Sequence, residues 1–149
     1  MPVKEVKYGY LYGPRCIIKA WPLAASVNFE NDSGKFMDLD ASNRLQIAVA
    51  QQLDIKGWAL EGDWTSSATA GADSCPIDIC HYAVYSMPAD ADPANILGET
   101  CDIVVNSNNQ QADIGASTDD VLHVVDANTA DDVVAVHLVT RNITFAGVV

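Results

Sequence analysis

The sequence predicts a mainly β fold, a small antiparallel β-barrel or sandwich with an extended N-terminal arm. Three observations carry that prediction. Apolar and polar residues alternate at strand period through 76–86, 101–106 and 133–139. Polar turn clusters such as Asp40-Ala41-Ser42-Asn43 and Ser107-Asn108-Asn109 separate the runs. The strands at 34–62 follow one another with no crossover helix between them. Less than about a tenth of the residues are expected in helix, against the roughly one-third of an average globular protein.

Taken in order, residues 1–27 form the arm and 28–149 the β domain. Tyr8-Gly9-Tyr10-Leu11-Tyr12-Gly13-Pro14 is aromatic and irregular, and Arg15 to Trp21 reads as a strand ended by Pro22. Aromatics at a chain end with little charge suit a contact with a neighbouring subunit, because Tyr and Trp combine large area with a polar tip. The alternative is that the arm packs on its own barrel. The stretch 34–62 predicts a β-meander: Lys35 to Leu39, the turn at 40–43, Arg44 to Ala48, and Ile55 to Glu61. Leu45, Val49 and Leu53 also fit helical spacing, but the β-rich surroundings favour strand to about Val49, followed by a loop or a single helical turn through Gln51-Gln52. Residues 63–74 are a small, polar loop. Pro76 to Ser86 reads as one long strand. Ala89 to Asn95 is a loop, Cys101 to Asn106 a short strand, and Gln111 to Ile114 its hairpin partner. Val121 to Val125 and Val133 to Thr140 are valine-rich strands separated by the acidic turn at 126–132, giving eight to ten strands in all.

The order of these pieces resembles the head decoration (cement) proteins of tailed bacteriophages. The resemblance starts with the glycine turn, Met37-Asp38-Leu39, the polar turn and Ile55-Lys56-Gly57-Trp58-Ala59-Leu60-Glu61. It continues through Cys75-Pro76-Ile77-Asp78-Ile79, Tyr85-Ser86-Met87-Pro88-Ala89, Leu97-Gly98-Glu99-Thr100-Cys101-Asp102-Ile103 and Gln111-Ala112-Asp113-Ile114-Gly115-Ala116-Ser117. It implies a small β-barrel subunit, commonly a homotrimer, seated on the outside of a virion and bound to the major capsid protein. The product would be made in the host cytoplasm. The aromatic arm and the four cysteines depart from that pattern.

Length and composition agree with one domain large enough to bury a core. No apolar run approaches the roughly 20 residues of a membrane span. The N-terminus lacks the apolar segment of a secretory signal, so a cytoplasmic product with four free thiols, Cys16, Cys75, Cys80 and Cys101, is expected. Seven of the eight basic residues precede residue 57, whereas Arg141 alone faces fourteen acids beyond it. A body that acidic repels nucleic acid, which excludes a DNA- or RNA-binding role.

No catalytic constellation emerges. His81, His123 and His137 lie in predicted strands, and no nucleophile sits on a recognisable elbow. Cys75, Cys80 and His81 lack the spacing of a zinc chelate. The acidic turns at 90–92 and 126–132 lack the ligand alternation of an EF-hand loop. No cofactor is expected, and Gly57 and Gly62 flank a strand rather than cradle a phosphate. Two functions remain: a structural protein that clamps capsid subunits, and a ligand-binding β-module that recognises carbohydrate through Trp21, Trp58 and Trp64. For the first, the partner-binding residues are Tyr8, Tyr10, Tyr12, Arg15 and Trp21. An extended arm can supply the roughly 800 Å² per partner of a standard interface.

Overall fold

A sheet buried on both faces organises the molecule, described here from a computed structural model over residues 7–49 and 55–139. The strands are β1 (Tyr10–Tyr12), β2 (Ile17–Pro22), β3 (Asn28–Phe29), β4 (Phe36–Leu39), β5 (Leu45–Ile47), β6 (Gly57–Ala59) and β7 (Trp64–Thr65). They continue with β8 (Ser74–Asp78), β9 (Val84–Pro88), β10 (Thr100–Asn106), β11 (Asn109–Asp113), β12 (Leu122–Asn128) and β13 (Val133–Leu138). The buried sheet has the order β2-β8-β6-β4-β5, and a six-stranded sheet has the order β1-β9-β13-β12-β10-β11. A two-stranded ribbon, β3-β7, makes a third layer. Every strand pair is antiparallel. None of the described residues is helical, as the alternation predicts.

Strand period explains the layering. Phe36 and Trp58 point to one face of the five-stranded sheet and meet Tyr85, Met87, Ile103, Leu122, Val124 and Val136 of the six-stranded sheet. Met37, Ala59 and Ile77 point the other way and meet Leu23, Val27 and Phe29 under the ribbon. A sheet covered on both sides cannot alternate apolar with polar, which is why β4 and β6 are almost entirely buried. Between the two large sheets Trp58 stacks on Tyr85, with ring centroids 4.6 Å apart, and Phe36 meets Trp58 edge-on at 4.8 Å.

Several sequence expectations require correction. Among the described residues no sheet closes into a barrel: the two large sheets end at β1 and β11 in one and at β2 and β5 in the other. Thirteen strands occur among the described residues, not eight to ten, since short pieces such as β3 and β7 carry no periodic signal. The stretch 34–62 is not a meander: β4 lies in the middle, with β5 on one side and β6 on the other. Gly57 accounts for β6's position, because any Cβ there would lie 2.1 Å from the Asp78 carbonyl oxygen of β8. The run 76–86 is two strands in different sheets, broken by a turn in which Ala83 N–H donates to the Cys80 carbonyl. The stretch 126–132 is strand to Asn128. A bulge between Val124 and Asp126 resets the parity, so Val124 and Ala127 both reach the core.

Other expectations hold. Asp40 Oδ1 accepts the N–H groups of Ser42 and Arg44, and Asn43 has φ 60°, closing the β4–β5 hairpin. Ser107 and Asn108, with φ 50° and 70°, form the two-residue β10–β11 turn. The loop or helical turn expected at Gln51-Gln52 and the end of the last strand at Thr140 lie outside the described residues.

Gln110 fastens one margin of the sandwich. Its side chain is fully buried, with Oε1 accepting Phe36 N–H at 2.9 Å and Nε2 donating to the carbonyls of Phe36 and Ala48, each at 2.9 Å. A side-chain amide here replaces a strand neighbour for the β4 backbone. Gln110→Ala leaves the Phe36 N–H and the Ala48 carbonyl unmet, while the Phe36 carbonyl keeps the Ala48 N–H, and is expected to cost about 2–4 kcal/mol in urea unfolding. A loss below about 1 kcal/mol would show that water replaces the amide there.

Candidate functional site

The β1–β2 corner brings chemistry from distant parts of the chain together. Asp78 ends β8 with no solvent exposure. Its carboxylate accepts Cys16 N–H at 3.0 Å, Cys80 N–H at 3.1 Å, Arg15 Nε at 3.3 Å and the Tyr85 hydroxyl. Burial first, and then the neighbouring Asp78 carboxylate, push the Tyr85 hydroxyl above its ordinary range, so it stays protonated and donates. The Arg15 guanidinium also lies 4.1 Å from the Tyr10 ring centroid, and Tyr10 meets Tyr85 edge-on at 5.9 Å.

Of the five residues predicted to bind a partner, three gather here and two do not. Tyr10, Tyr12 and Arg15 share the corner, and Tyr12 is 55% exposed. Tyr8 is buried in the core between the large sheets. Trp21 packs against the core under the ribbon, with Nε1–H donating to the Asn43 carbonyl at 2.8 Å. The expected arm thus enters both large sheets, β1 pairing with β9 and β2 with β8.

Around this corner lie large exposed apolar side chains: Tyr10, Leu11, Tyr12, Ile17 and Tyr82. Gly13, with φ 104°, brings the arm against the 79–83 turn, since a Cβ on it would lie 2.8 Å from the Tyr82 carbonyl oxygen. Sequence reading missed Leu11, Ile17 and Tyr82, because Tyr82 fell within a predicted strand and only the turn exposes it. Beside the corner is an open cleft of about 500 Å³ lined by Tyr8, Tyr10, Leu11, Trp58, Leu60 and Glu61.

The tryptophans do not share one surface. Trp58 is buried, and Trp64 packs under the ribbon with Nε1–H donating to Glu61 at 2.6 Å. His123 and His137 face each other across β12 and β13, ring centroids 5.0 Å apart. Among the described residues no three His, Cys, Asp or Glu side chains converge to hold a metal ion. Many acids are occupied in turns: Asp102 accepts the N–H groups of Thr118, Asp119 and Asp120, and Asn128 with Asp131 closes the β12–β13 turn. Burial pushes the Cys75 and Cys101 thiols up to about 12, which leaves them protonated.

Comparison with family models, curated proteins and solved structures returned no match.

Asp38 on β4 is a buried carboxylate whose Oδ1 has no hydrogen-bond partner among the described residues, while Oδ2 accepts from Gln46 Nε2 at 3.5 Å. Burial raises its pKa to about 6 from 3.8. Between those values the folded state holds the extra proton, so this group's stabilisation is full below about pH 4 and lost as pH rises through about 6. Asp38→Asn is therefore expected to raise stability at pH 7 by about 1–3 kcal/mol and to flatten the pH dependence between 4 and 6.5. Urea titrations across that window test it, and an Asn variant less stable at pH 7 would mean the carboxylate has a favourable partner.

Proposed function

We propose that this chain is a structural surface protein that docks through its β1–β2 corner, acting as a decoration protein on the outside of a phage capsid and stabilising the shell by bridging its subunits. The observation that carries the proposal is β1 itself. Among the described residues it is an edge strand, Tyr-Leu-Tyr, with no charged residue in it, and all three side chains are exposed. Unguarded edges of that kind invite pairing with another chain. Leu11, Tyr12, Ile17 and Tyr82 extend the edge into an apolar patch on an otherwise acidic molecule of net charge −12. A ligand that binds only the assembled lattice stabilises it by mass action, and a docking patch is all the chemistry that role requires. The same patch would serve the homotrimer that the family resemblance implies. The second reading, carbohydrate binding, would use the Tyr8–Tyr10–Glu61 cleft rather than a tryptophan platform.

Deleting residues 1–20 would not test this, because Tyr8 belongs to the core and Arg15 neutralises Asp78. Point substitutions on the exposed patch do. Tyr12→Glu with Ile17→Glu is expected to leave the melting temperature within about 2 °C of the parent, since both positions are exposed. The double variant should lose at least tenfold in co-sedimentation with expanded capsids and in self-association by light scattering. Unchanged binding in both assays would refute the docking surface; retained glycan binding with no capsid binding in either protein would favour the cleft.

A further inference from the structure

We propose that His123 and His137 form a cross-strand site for one borderline divalent cation of the Zn²⁺, Ni²⁺ or Cu²⁺ class, on the outer face of the six-stranded sheet. The inference is independent of the proposed function. The two residues are direct register partners on β12 and β13, so their side chains leave the sheet on one face. Their neighbours Leu122, Val124, Val136 and Leu138 point into the core between the large sheets, which puts both imidazoles on the outer side. There the ring centroids lie 5.0 Å apart, and both residues are half-buried.

That separation suits a shared ion. A metal sits about 2.0–2.1 Å from an imidazole nitrogen, and so about 3.2 Å from the ring centre. Two rings bound at about 90–110° to one ion then have centres about 4.5–5.2 Å apart. The ring planes cross at 79°, which a shared ion tolerates, since each plane can twist about its own nitrogen–metal axis. Rotation about χ2, a broad torsion, aims each lone pair. The tautomers are set as well. His123 Nε2 lies 3.1 Å from the Gly98 carbonyl oxygen, and His137 Nδ1 lies 2.9 Å from that of Leu138. A carbonyl only accepts, so in the neutral rings those nitrogens carry the protons, and His123 Nδ1 and His137 Nε2 keep their lone pairs. Metal-binding histidines ordinarily hold their second nitrogen in this way.

The surroundings favour a cation, and the ligands choose its class. Thr100, the register partner of His123 on β10, donates to Asp120 Oδ1 at 2.6 Å and so places a carboxylate at the rim. The net charge of −12 draws cations toward the surface in general. Two imidazoles select the borderline ions among them, because Mg²⁺ and Ca²⁺ prefer oxygen ligands. Among the described residues no third His, Cys, Asp or Glu joins the pair, so water completes the coordination.

The test titrates tag-free, full-length protein with NiCl₂ by calorimetry, in excess MgCl₂ to occupy surface carboxylates. The expected result is one equivalent of Ni²⁺ bound to the parent. His123→Gln and His137→Gln should each weaken that binding at least about tenfold. Without metal, both should melt within about 2 °C of the parent. His81→Gln should bind as the parent does. Saturating Ni²⁺ should raise the melting temperature of the parent and of neither site variant. Bound Cu²⁺ should give an electron paramagnetic resonance spectrum with two nitrogen ligands, a reading on the parent that decides the matter alone if a variant fails to fold. Equal affinity in the parent and both site variants, loss of binding in His81→Gln, an all-oxygen Cu²⁺ spectrum, or no saturable binding up to about 1 mM would overturn the proposal.

Discussion

The buried Asp78 carboxylate is the interaction on which the arrangement of the two large sheets depends. Removing such a charge from water costs several kcal/mol unless donors surround it. Here the donors come from four places: the Arg15 side chain, the Cys16 and Cys80 backbones, and the Tyr85 hydroxyl. β8 lies in one sheet and Tyr85 in the other, while Arg15 and Cys16 occupy the link between their edge strands. Neutralising one carboxylate therefore requires both sheets and the N-terminal segment to be in place together. Asp78 also limits what can lie beside it, since its carbonyl oxygen tolerates only a glycine at position 57.

At the opposite margin Gln110 plays the corresponding part with no charge. β11 is the far edge of the six-stranded sheet, and its glutamine reaches into the backbone of β4. Ser33 completes that margin, its hydroxyl accepting Gln110 N–H at 2.7 Å, and Lys35 buries its amine against the carbonyls of Ser33 and Glu30. Burial lowers that amine to about 8 against the opposing pull of the Asp63, Glu30 and Asp32 carboxylates, so most of it remains charged at neutral pH. The aromatic stack of Phe36, Trp58 and Tyr85 lies between the sheets these two polar fastenings join. Apolar burial supplies the bulk of the driving force, and directional bonds at the two margins fix which strand faces which.

Much of the local structure was legible in the sequence, and little of the assembly was. The hairpin turns at Asp40 and Ser107 were readable because they depend on side chains that bond to their own backbone. The valine-rich β12–β13 pair was readable from residue type alone. Sheet order was not, because β-branched and aromatic residues say that a segment is a strand and nothing about its neighbour. Ile77 and Tyr85 look alike in a hydropathy pattern yet belong to different sheets. The signals that would have separated them are single residues: Gly57, where β6 must approach another backbone, and an aspartate inside an apolar run at Asp78. Of the residues expected to bind a partner, Tyr10, Tyr12 and Arg15 lie together at the β1–β2 corner. Tyr8 and Trp21 were grouped with them as nearby aromatics, but Tyr8, in the bend before β1, enters the core between the large sheets and Trp21 packs against the core under the ribbon.

The edges of the sheets decide where another chain can attach. β2 carries an exposed Lys19 and ends in Pro22, two features that discourage strand addition. β5 is short and bridged in parallel by Leu23, and β11 is polar, ends in Asp113 and is bridged by Ala89. Among the described residues β1 has none of these protections. Its inner edge is held by Tyr85 and Val84, the Tyr10 hydroxyl donates to the Gly13 carbonyl with Arg15 over the ring, and among the described residues no strand pairs with its outer edge. The bonds that bury Asp78 are also those that position β1, so the fold's most demanding electrostatic requirement and its most exposed apolar surface are built from the same few residues. A change that weakened Asp78's ring of donors would therefore loosen β1 before it disturbed the ribbon or the β10–β11 hairpin.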